Sequence, residues 1–135
     1  MDILQTLQGI GKFAAYFAAS LVALGVFLGV YMAITPHREW ALIRNSNSAA
    51  AISLGGAAIG FTLPLASAVV FSVSLPDMAL WAGVSLVVQL IVFFAVNMAL
   101  RGLSSRIEQG DQAAGITLAA ASVAIGILNA ASLSY

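Results

Sequence analysis

The stretch Asn47-Ser48-Ala49-Ala50-Ala51-Ile52-Ser53-Leu54 decides the fold, because a similar stretch follows 64 positions later as Asp111-Gln112-Ala113-Ala114-Gly115-Ile116-Thr117-Leu118. In both copies, an Asn or Asp opens a run of small residues, and these two residue types are favoured at helix N-termini. Each copy lies where a polar segment passes into a long apolar one. The repeat therefore predicts two equivalent helices, with Asn47 and Asp111 as their N-caps.

The repeat extends well beyond these eight residues. Ile43–Ala66 aligns with Ile107–Ala130 without a gap. Because one hairpin separates the two copies, their helices run in the same direction, which is the parallel kind of internal repeat. The predicted units are two helical hairpins, at about residues 10–72 and 77–134, within a single domain that spans residues 1–135.

The composition indicates a membrane protein. Hydrophobic residues make up 61% of the 135 residues and charged residues only 7%, whereas soluble domains have about 25% charged residues. A chain of this length cannot bury so much apolar surface in a core of its own. Basic and acidic residues number 5 each, so no charge excess points to nucleic acid. The chain has no Cys, which excludes disulfides and thiolate metal sites.

Charge-free runs give the number of membrane spans. Four runs cover residues 13–34, 45–76, 78–100 and 112–135, and a helix needs about 20 apolar residues to cross the bilayer. The first run is longer than the apolar part of a signal peptide, so we expect a retained helix. The predicted fold class is an all-α integral membrane four-helix bundle built from two parallel-related helical hairpins.

Basic residues predict the orientation, because Lys and Arg in short loops stay on the cytoplasmic side. Arg38 and Arg44 lie in the first connection, and Arg101 and Arg106 lie in the third. The opposite side has only Lys12. We therefore expect a multi-pass protein of the bacterial inner membrane, with both Arg-bearing loops in the cytoplasm and both termini in the periplasm.

The first cytoplasmic connection has the pattern of a short interfacial helix. Thr35 followed by Pro36 is typical of a helix start, and Trp40 and Ile43 share one face three residues apart. His37, Arg38 and Arg44 are expected to reach water or lipid phosphate. The candidate interfacial or partner-binding residues are His37, Arg38, Glu39, Trp40 and Arg44.

Catalysis and metal binding are not expected from this segment. His37 is the only histidine, and adjacent side chains on a helix such as His37, Arg38 and Glu39 do not converge on one atom. No phosphate-binding or nucleophile motif occurs elsewhere. We therefore predict a protein without enzymatic activity and without a cofactor.

Small and polar residues within the spans suggest how the helices pack. Small-xxx-small pairs occur at Gly25 and Gly29 and again at Gly56 and Gly60. Such pairs allow close backbone approach, and we expect them to pack the first hairpin, with a homodimer seam as the alternative. Pro64 predicts a kink in the second span, either as a packing feature or as a moving or binding element.

Three amide side chains lie within the spans, namely Gln89, Asn97 and Asn129. We expect hydrogen bonds between helices, with contact to a substrate as the alternative. No ionisable Asp, Glu, Lys, Arg or His lies inside a predicted span. This disfavours proton- or ion-coupled transport, which generally needs such a group at depth.

Several stretches together resemble the YjfL-like family of small bacterial inner-membrane proteins (domain of unknown function 350). They are Thr35–Trp40, Asn45–Ala50, Gly60–Leu65, Ser74–Asp77, Ala113–Gly115 and Asn129–Ala131. The resemblance implies a tandem of two-helix units, which agrees with the internal repeat. It also implies an association with membrane-stress proteins, but it brings no known activity.

Two functions are therefore expected to compete. The first is a non-enzymatic membrane protein whose cytoplasmic loops recruit or sense a partner in envelope or membrane stress. The second is a small oligomeric channel or carrier for a neutral or amphiphilic molecule. A membrane enzyme comes third. The expected partners are the lipid bilayer, a cytoplasmic protein and further copies of this chain, with no nucleic acid.

Overall fold

The computed structural model describes residues 2–133, and this part of the chain forms six helices without a strand. They are α1 (Ile3–Ile34), α2 (Glu39–Arg44), α3 (Ser48–Phe71), α4 (Leu75–Ala99), α5 (Leu103–Glu108) and α6 (Gln112–Ser132). Of these, α1, α3, α4 and α6 are long and apolar enough to cross a membrane. The all-α membrane bundle is thus confirmed. The predicted end of the second unit at residue 134 lies outside the described residues.

Helix α1 is longer than the first charge-free run. It begins at Ile3 rather than near Phe13, with the side chain of Asp2 accepting a hydrogen bond from the N–H of Gln5. Lys12 does not interrupt it, because a single exposed Lys is compatible with a continuous helix. The helix ends at Ile34, since Thr35 precedes a proline and takes an extended conformation. The prediction that Thr35 starts the next helix was therefore wrong.

The two halves repeat each other in backbone detail. Helices α2 and α5 have six residues each and begin 64 positions apart, as do α3 and α6. Ser46 and Gly110 end the two short helices with left-handed φ values of 64° and 82°, a common way to end a helix. Asn47 and Asp111 follow as N-caps. Each half is thus a long, a short and a long helix.

Helices α3 and α6 form the most extensive helix pair of the bundle. Gln112 Nε2 donates to Ser48 Oγ at 2.9 Å near their starts, and further along the backbone of Gly60 lies against Ser122 and Gly126. Both sets of contacts join positions that are about equally far from the starts of α3 and α6, so the two helices run in the same direction. The two repeat-related helices therefore meet through small residues, where their backbones approach closely.

This packing corrects the prediction for the glycine pairs. A Cβ atom at Gly56 would overlap Ala119 of α6, whereas Cβ atoms at Gly25 and Gly29 would meet nothing within 4 Å. Gly56 and Gly60 therefore pack against α6 and not against α1. The physical reason is that the small-residue faces of the two repeats meet each other, which leaves α1 at the periphery.

Helix α1 joins the bundle through aromatic rings instead. Phe27 stacks on Phe61 of α3 with ring centroids 4.3 Å apart, and Tyr31 meets Phe93 of α4 edge-on at 6.0 Å. All four side chains are buried. Large aromatic rings bury much apolar area at each contact, so they can hold a peripheral helix at the α2–α5 end of the bundle.

Candidate functional site

A cluster of buried polar side chains lies at the α2–α5 end of the bundle. We call Tyr31, Thr35, His37, Glu39 and Ser104 the polar cluster. His37 and Glu39 are each 1% exposed, so the prediction that His37 reaches water or lipid phosphate was wrong. Because α2 begins only at Glu39, residues 35–38 form a non-helical turn that directs both side chains inward.

Thr35 connects the end of α1 to the start of α2. Its hydroxyl oxygen lies 3.0 Å from the carbonyl oxygen of Tyr31 and 2.5 Å from Glu39 Oε1. The Tyr31 hydroxyl and Glu39 Oε2 are buried without a hydrogen-bond partner. The hydroxyl of Thr35 therefore caps the C-terminal end of α1 and also contacts the buried carboxyl group of Glu39.

His37 connects the turn to the second half of the repeat. Its Nδ1 lies 3.0 Å from Ser104 Oγ of α5, and its ring centroid lies 6.2 Å from that of Phe93 in α4. Its Nε2 lies 3.6 Å from Glu39 Oε1. One imidazole thus touches α2, α4 and α5, which explains why the turn is held firmly against the bundle.

Burial shifts His37 and Glu39 of the cluster toward their neutral forms. Burial lowers the pKa of His37, and the carboxylate of Glu108 partly opposes this. Burial raises the pKa of Glu39 to about 7, with hydrogen bonds from Thr35 and the backbone acting against it. The site can therefore change its protonation near neutral pH.

The opposite face of α2 is exposed. Trp40 is 60% exposed, and Arg38 and Arg44 are exposed beside it, whereas Leu42 and Ile43 pack against the core. Trp40 and Ile43 were predicted to share one face, but in the structure Trp40 is exposed while Ile43 packs against the bundle. A groove of about 370 Å³ runs beside this face, lined by Pro36, Arg38, Ala41, Leu42, Asn45 and Glu108.

The two capping residues have different additional partners. Asn47 Oδ1 accepts from the N–H of Ala50 at 3.0 Å, and its Nδ2 donates to the carbonyl of Ile107 at 2.8 Å. Asp111 accepts from the N–H of Ala114 and from Arg106 Nε at 2.7 Å. The bond from Arg106 holds the pKa of Asp111 below its usual range. Of the two caps, only Asn47 bonds to the other half of the repeat.

We therefore expect Asn47→Ala to destabilise the protein more than Asp111→Ala. Asn47→Ala removes a cap and a bond to a backbone carbonyl, each worth about 1 kcal/mol, so the loss is about 2 kcal/mol. Reversible unfolding in detergent measures both variants, with the exposed Gln109→Ala as the control. Equal losses of unfolding free energy in the two variants would show that the hydrogen bond from Asn47 to Ile107 of α5 contributes nothing to stability.

The intramembrane candidates do not form one site. Gln89 is fully buried and donates from Nε2 to the carbonyl oxygen of Ser122 at 3.0 Å. Asn97 lies eight residues further toward α5, and Asn129 lies seven residues beyond Ser122 toward the other end. At 1.5 Å per residue, Asn97 lies about 12 Å from the level of Gln89 along the bundle axis, and Asn129 lies about 10 Å from it on the other side. The three amides are therefore separated along the bundle axis.

Pro64 is buried in α3, and the helix continues through it. Because proline has no N–H, the carbonyl of Gly60 lacks its usual helical partner. Gly126 of α6 lies directly against that carbonyl oxygen, where a Cα–H···O contact is sterically allowed. This contact gives the freed carbonyl a neighbour in α6, and the role of Pro64 as a packing feature stays a prediction.

Apolar side chains line a groove between α1 and α4. Its volume is about 540 Å³, and Phe61 of α3 forms part of it. Within residues 2–133, no group of three or more His, Cys, Asp and Glu side chains is arranged to hold a metal ion. Among the described residues, the polar cluster offers buried hydrogen-bonding groups and two side chains, His37 and Glu39, that can bind a proton.

Sequence reasoning missed Tyr31, Ser104 and Ser122. Tyr31 had a usable signal, because it stands four residues before Thr35, and Thr35 stands four before Glu39. No comparable signal in the sequence marks Ser104 or Ser122. Their partners are 67 and 33 residues away along the chain, and only the packing of the repeats brings them together.

Comparisons with known proteins agree with the architecture. The family model described as "Domain of Unknown Function (DUF350)" matches residues 5–133. The "UPF0719 inner membrane protein YjfL" of Escherichia coli (strain K12) is 41% identical over 135 residues, which cover 100% of both chains. The "UPF0719 transmembrane protein YshE" of Bacillus subtilis (strain 168) is 26% identical over 124 residues, covering 90% of this chain and 92% of the relative. No solved structure matches significantly.

Proposed function

Because this chain belongs to the DUF350 family, whose description assigns no activity, we propose a function from its own geometry. The protein is a non-enzymatic component of the bacterial inner membrane whose helix α2 recruits a cytoplasmic protein, in the setting of envelope or membrane stress. The observation that carries this proposal is the division of α2 into a buried, fixed face and an exposed face with Trp40.

The exposed face has the chemistry of a protein-binding patch. Trp and Arg are the residue types most often found as binding hot spots, and here Trp40 stands between Arg38 and Arg44. The buried face holds α2 in place, so little conformational freedom remains to be lost on binding. A fitting partner offers an apolar pocket with acidic side chains around it. Lipid headgroups are the competing occupant, since Trp and Arg also favour the membrane interface.

The proposed orientation places this face in the cytoplasm. The structure brings the two Arg-bearing connections to one end, as the contact between His37 and Ser104 shows, and loops rich in Arg stay inside. An even number of spans then puts both termini in the periplasm. A single cysteine at position 40 would react with an impermeant maleimide only after the inner membrane is opened, and labelling of intact spheroplasts from outside would reverse the orientation.

Binding of the partner protein is expected to depend on the exposed face of α2 and not on the membrane-spanning helices. We expect Trp40→Ala and Arg44→Ala to lower the amount of co-purified partner at least about tenfold after cross-linking in native membranes, as for a hot spot. Met98→Ala is the matched control, because Met98 is 81% exposed near the same end but lies on α4. Quantitative mass spectrometry measures the partner, and equal recovery from all variants would remove the support for docking.

The channel or carrier hypothesis has less support. Gln89 is bonded to Ser122, Asn97 and Asn129 lie away from it, and apolar residues line the 540 Å³ groove. A pathway for a polar molecule would need these amides to face a common polar space. The oligomeric state stays a prediction, with the outward-facing Gly25 and Gly29 of α1 as its motivation.

A further inference from the structure

The polar cluster holds an acid and a base close together and shielded from solvent. Glu39 Oε1 lies 3.6 Å from His37 Nε2, and both side chains are almost completely buried. An isolated buried charge is strongly unfavourable. The pair is therefore stable in two forms, either as a neutral acid beside a neutral imidazole or as a carboxylate beside an imidazolium.

The contacts of Thr35 favour a protonated Glu39. The hydroxyl has one proton, but its two shortest contacts are both with acceptors, the carbonyl of Tyr31 and Glu39 Oε1, while the carbonyl of Met32 lies farther away at 3.5 Å. Both contacts are hydrogen bonds at once only when Glu39 supplies a second proton. In that state Glu39 donates to Thr35, and Thr35 donates to the carbonyl of Tyr31.

His37 offers the second position for this proton. When its Nδ1–H donates to Ser104 Oγ at 3.0 Å, Nε2 carries the free lone pair of the imidazole. Nε2 has no hydrogen-bond partner and lies nearest to Glu39 Oε1. The acceptor and the donor of a proton thus face each other inside the cluster.

We propose that Glu39 and His37 form a buried proton-binding site, in which one proton exchanges between Glu39 Oε1 and His37 Nε2. The O–H bond of Glu39 breaks and its electron pair stays on the carboxylate, while the proton binds the lone pair of Nε2. Thr35 then turns its own proton from the carbonyl of Tyr31 to the carboxylate. The position of the proton thereby determines which group accepts the hydrogen bond of Thr35 at the junction of α1 and α2. This holds whether or not α2 binds a partner protein.

Few other charges act on this pair. The titratable or charged side chains on the elements packed around it are Tyr31 of α1, Arg38 and Arg44 at the ends of α2, Arg101 before α5, Arg106 and Glu108 of α5, and Asp111 before α6. Helices α3 and α6 and the nearby half of α4 have none. Glu108 favours the imidazolium form of His37, and burial favours the neutral form of Glu39.

Infrared spectroscopy of the full chain in liposomes can observe this proton, because Glu39 and Glu108 are the only two glutamates. In Glu108→Gln protein with ¹³C-labelled glutamate, the one labelled side chain is Glu39. We expect the carbonyl band of a protonated carboxylic acid, which disappears with a midpoint at about pH 7. Glu108 is exposed, so the variant is expected to fold. A midpoint near the ordinary value of 4.5 would overturn the proposal.

Nuclear magnetic resonance of the single histidine tests the exchange itself. In ¹⁵N-histidine-labelled protein, we expect the Nε2 resonance of His37 to shift over the pH range in which Glu39 titrates. Glu39→Gln keeps the shape of the side chain and is expected to abolish that step. Identical histidine titrations in the wild type and in Glu39→Gln would show two independent groups and would refute the exchange. If Glu39→Gln does not fold, the infrared midpoint of the Glu108→Gln protein still decides whether Glu39 holds the proton.

Discussion

Gly60→Val is expected to disrupt the bundle, whereas Gly55→Val is expected to leave it folded. A Cβ atom at Gly60 would overlap the carbonyl oxygen and carbon of Ser122 and would lie 2.7 Å from Gln89 Nε2. A side-chain atom can move away, but the backbone of α6 can do so only if the two helices separate. Such overpacking costs about 3 kcal/mol or more, and it would also break the hydrogen bond of Gln89.

Gly55 is the matched control for Gly60. It lies in the same helix, and a Cβ atom there would meet nothing within 4 Å, so the change of residue type is the same without the clash. Gly126→Val should behave like Gly60→Val, since its Cβ atom would overlap the backbone of Gly60. Thermal unfolding of purified variants in detergent measures the effect. Similar melting temperatures for Gly55→Val and Gly60→Val would contradict the α3–α6 contact.

Glu39→Gln is expected to remove a pH dependence of stability. Burial raises the pKa of Glu39 from 4.5 to about 7, so the folded state binds this proton more tightly than the unfolded state. The resulting stability is fully present below pH 4.5 and is lost as the pH rises to about 7, with no further loss above that value. The shift corresponds to a difference on the order of 3 kcal/mol.

The comparison of wild type with Glu39→Gln isolates this effect. Burial lowers the pKa of His37, which removes stability as the pH falls below 6.5. Because His37 is present in both proteins, the comparison removes the part of its contribution that does not depend on Glu39. We expect the unfolding free energy of the wild type, relative to Glu39→Gln, to fall between pH 4.5 and 7. A difference that stays constant over this range would show that Glu39 is not buried in the folded protein.

The sequence was sufficient to predict the features that follow from local chemistry. Apolar runs predicted the four membrane helices that the structure contains. Asn47 and Asp111, which were predicted as N-caps, each accept a hydrogen bond from the N–H three residues further along the chain. These features depend on span length and on the residue type at a helix start, which can be recognised within one segment of the chain.

Features that depend on distant segments could not be predicted. A surface position was expected for His37 because charged and polar loop residues usually meet solvent, and its partner Ser104 lies in the other half of the repeat. The expected pairing of Gly56 with the first helix failed for a similar reason. Small residues show that a helix is closely approached, but they do not show by which neighbour.

The difference between the two halves gives the repeat its functional meaning. Asn47 and Asp111 occupy equivalent N-caps, yet only the first half has a buried acid, Glu39, and an exposed tryptophan, Trp40, on its short helix. At the positions equivalent to these two, α5 has Leu103 and Ser104. The second half therefore contributes packing contacts and the hydrogen bond between Ser104 and His37. The first half has the residues that we propose for proton binding, His37 and Glu39, and for docking, Trp40.

The docking role of α2 is tested most directly by an aromatic photo-crosslinking amino acid at position 40 of the full chain in living cells, which keeps a large ring at the proposed binding position. Position 98 is the control. Both side chains are exposed near the same end of the bundle, but only Trp40 lies on α2. We predict a protein adduct of one discrete mass from position 40, absent from position 98 and lost when Arg44→Ala is added. Lipid adducts alone, or the same adducts from both positions, would show that Trp40 is a membrane anchor and would contradict the proposed function.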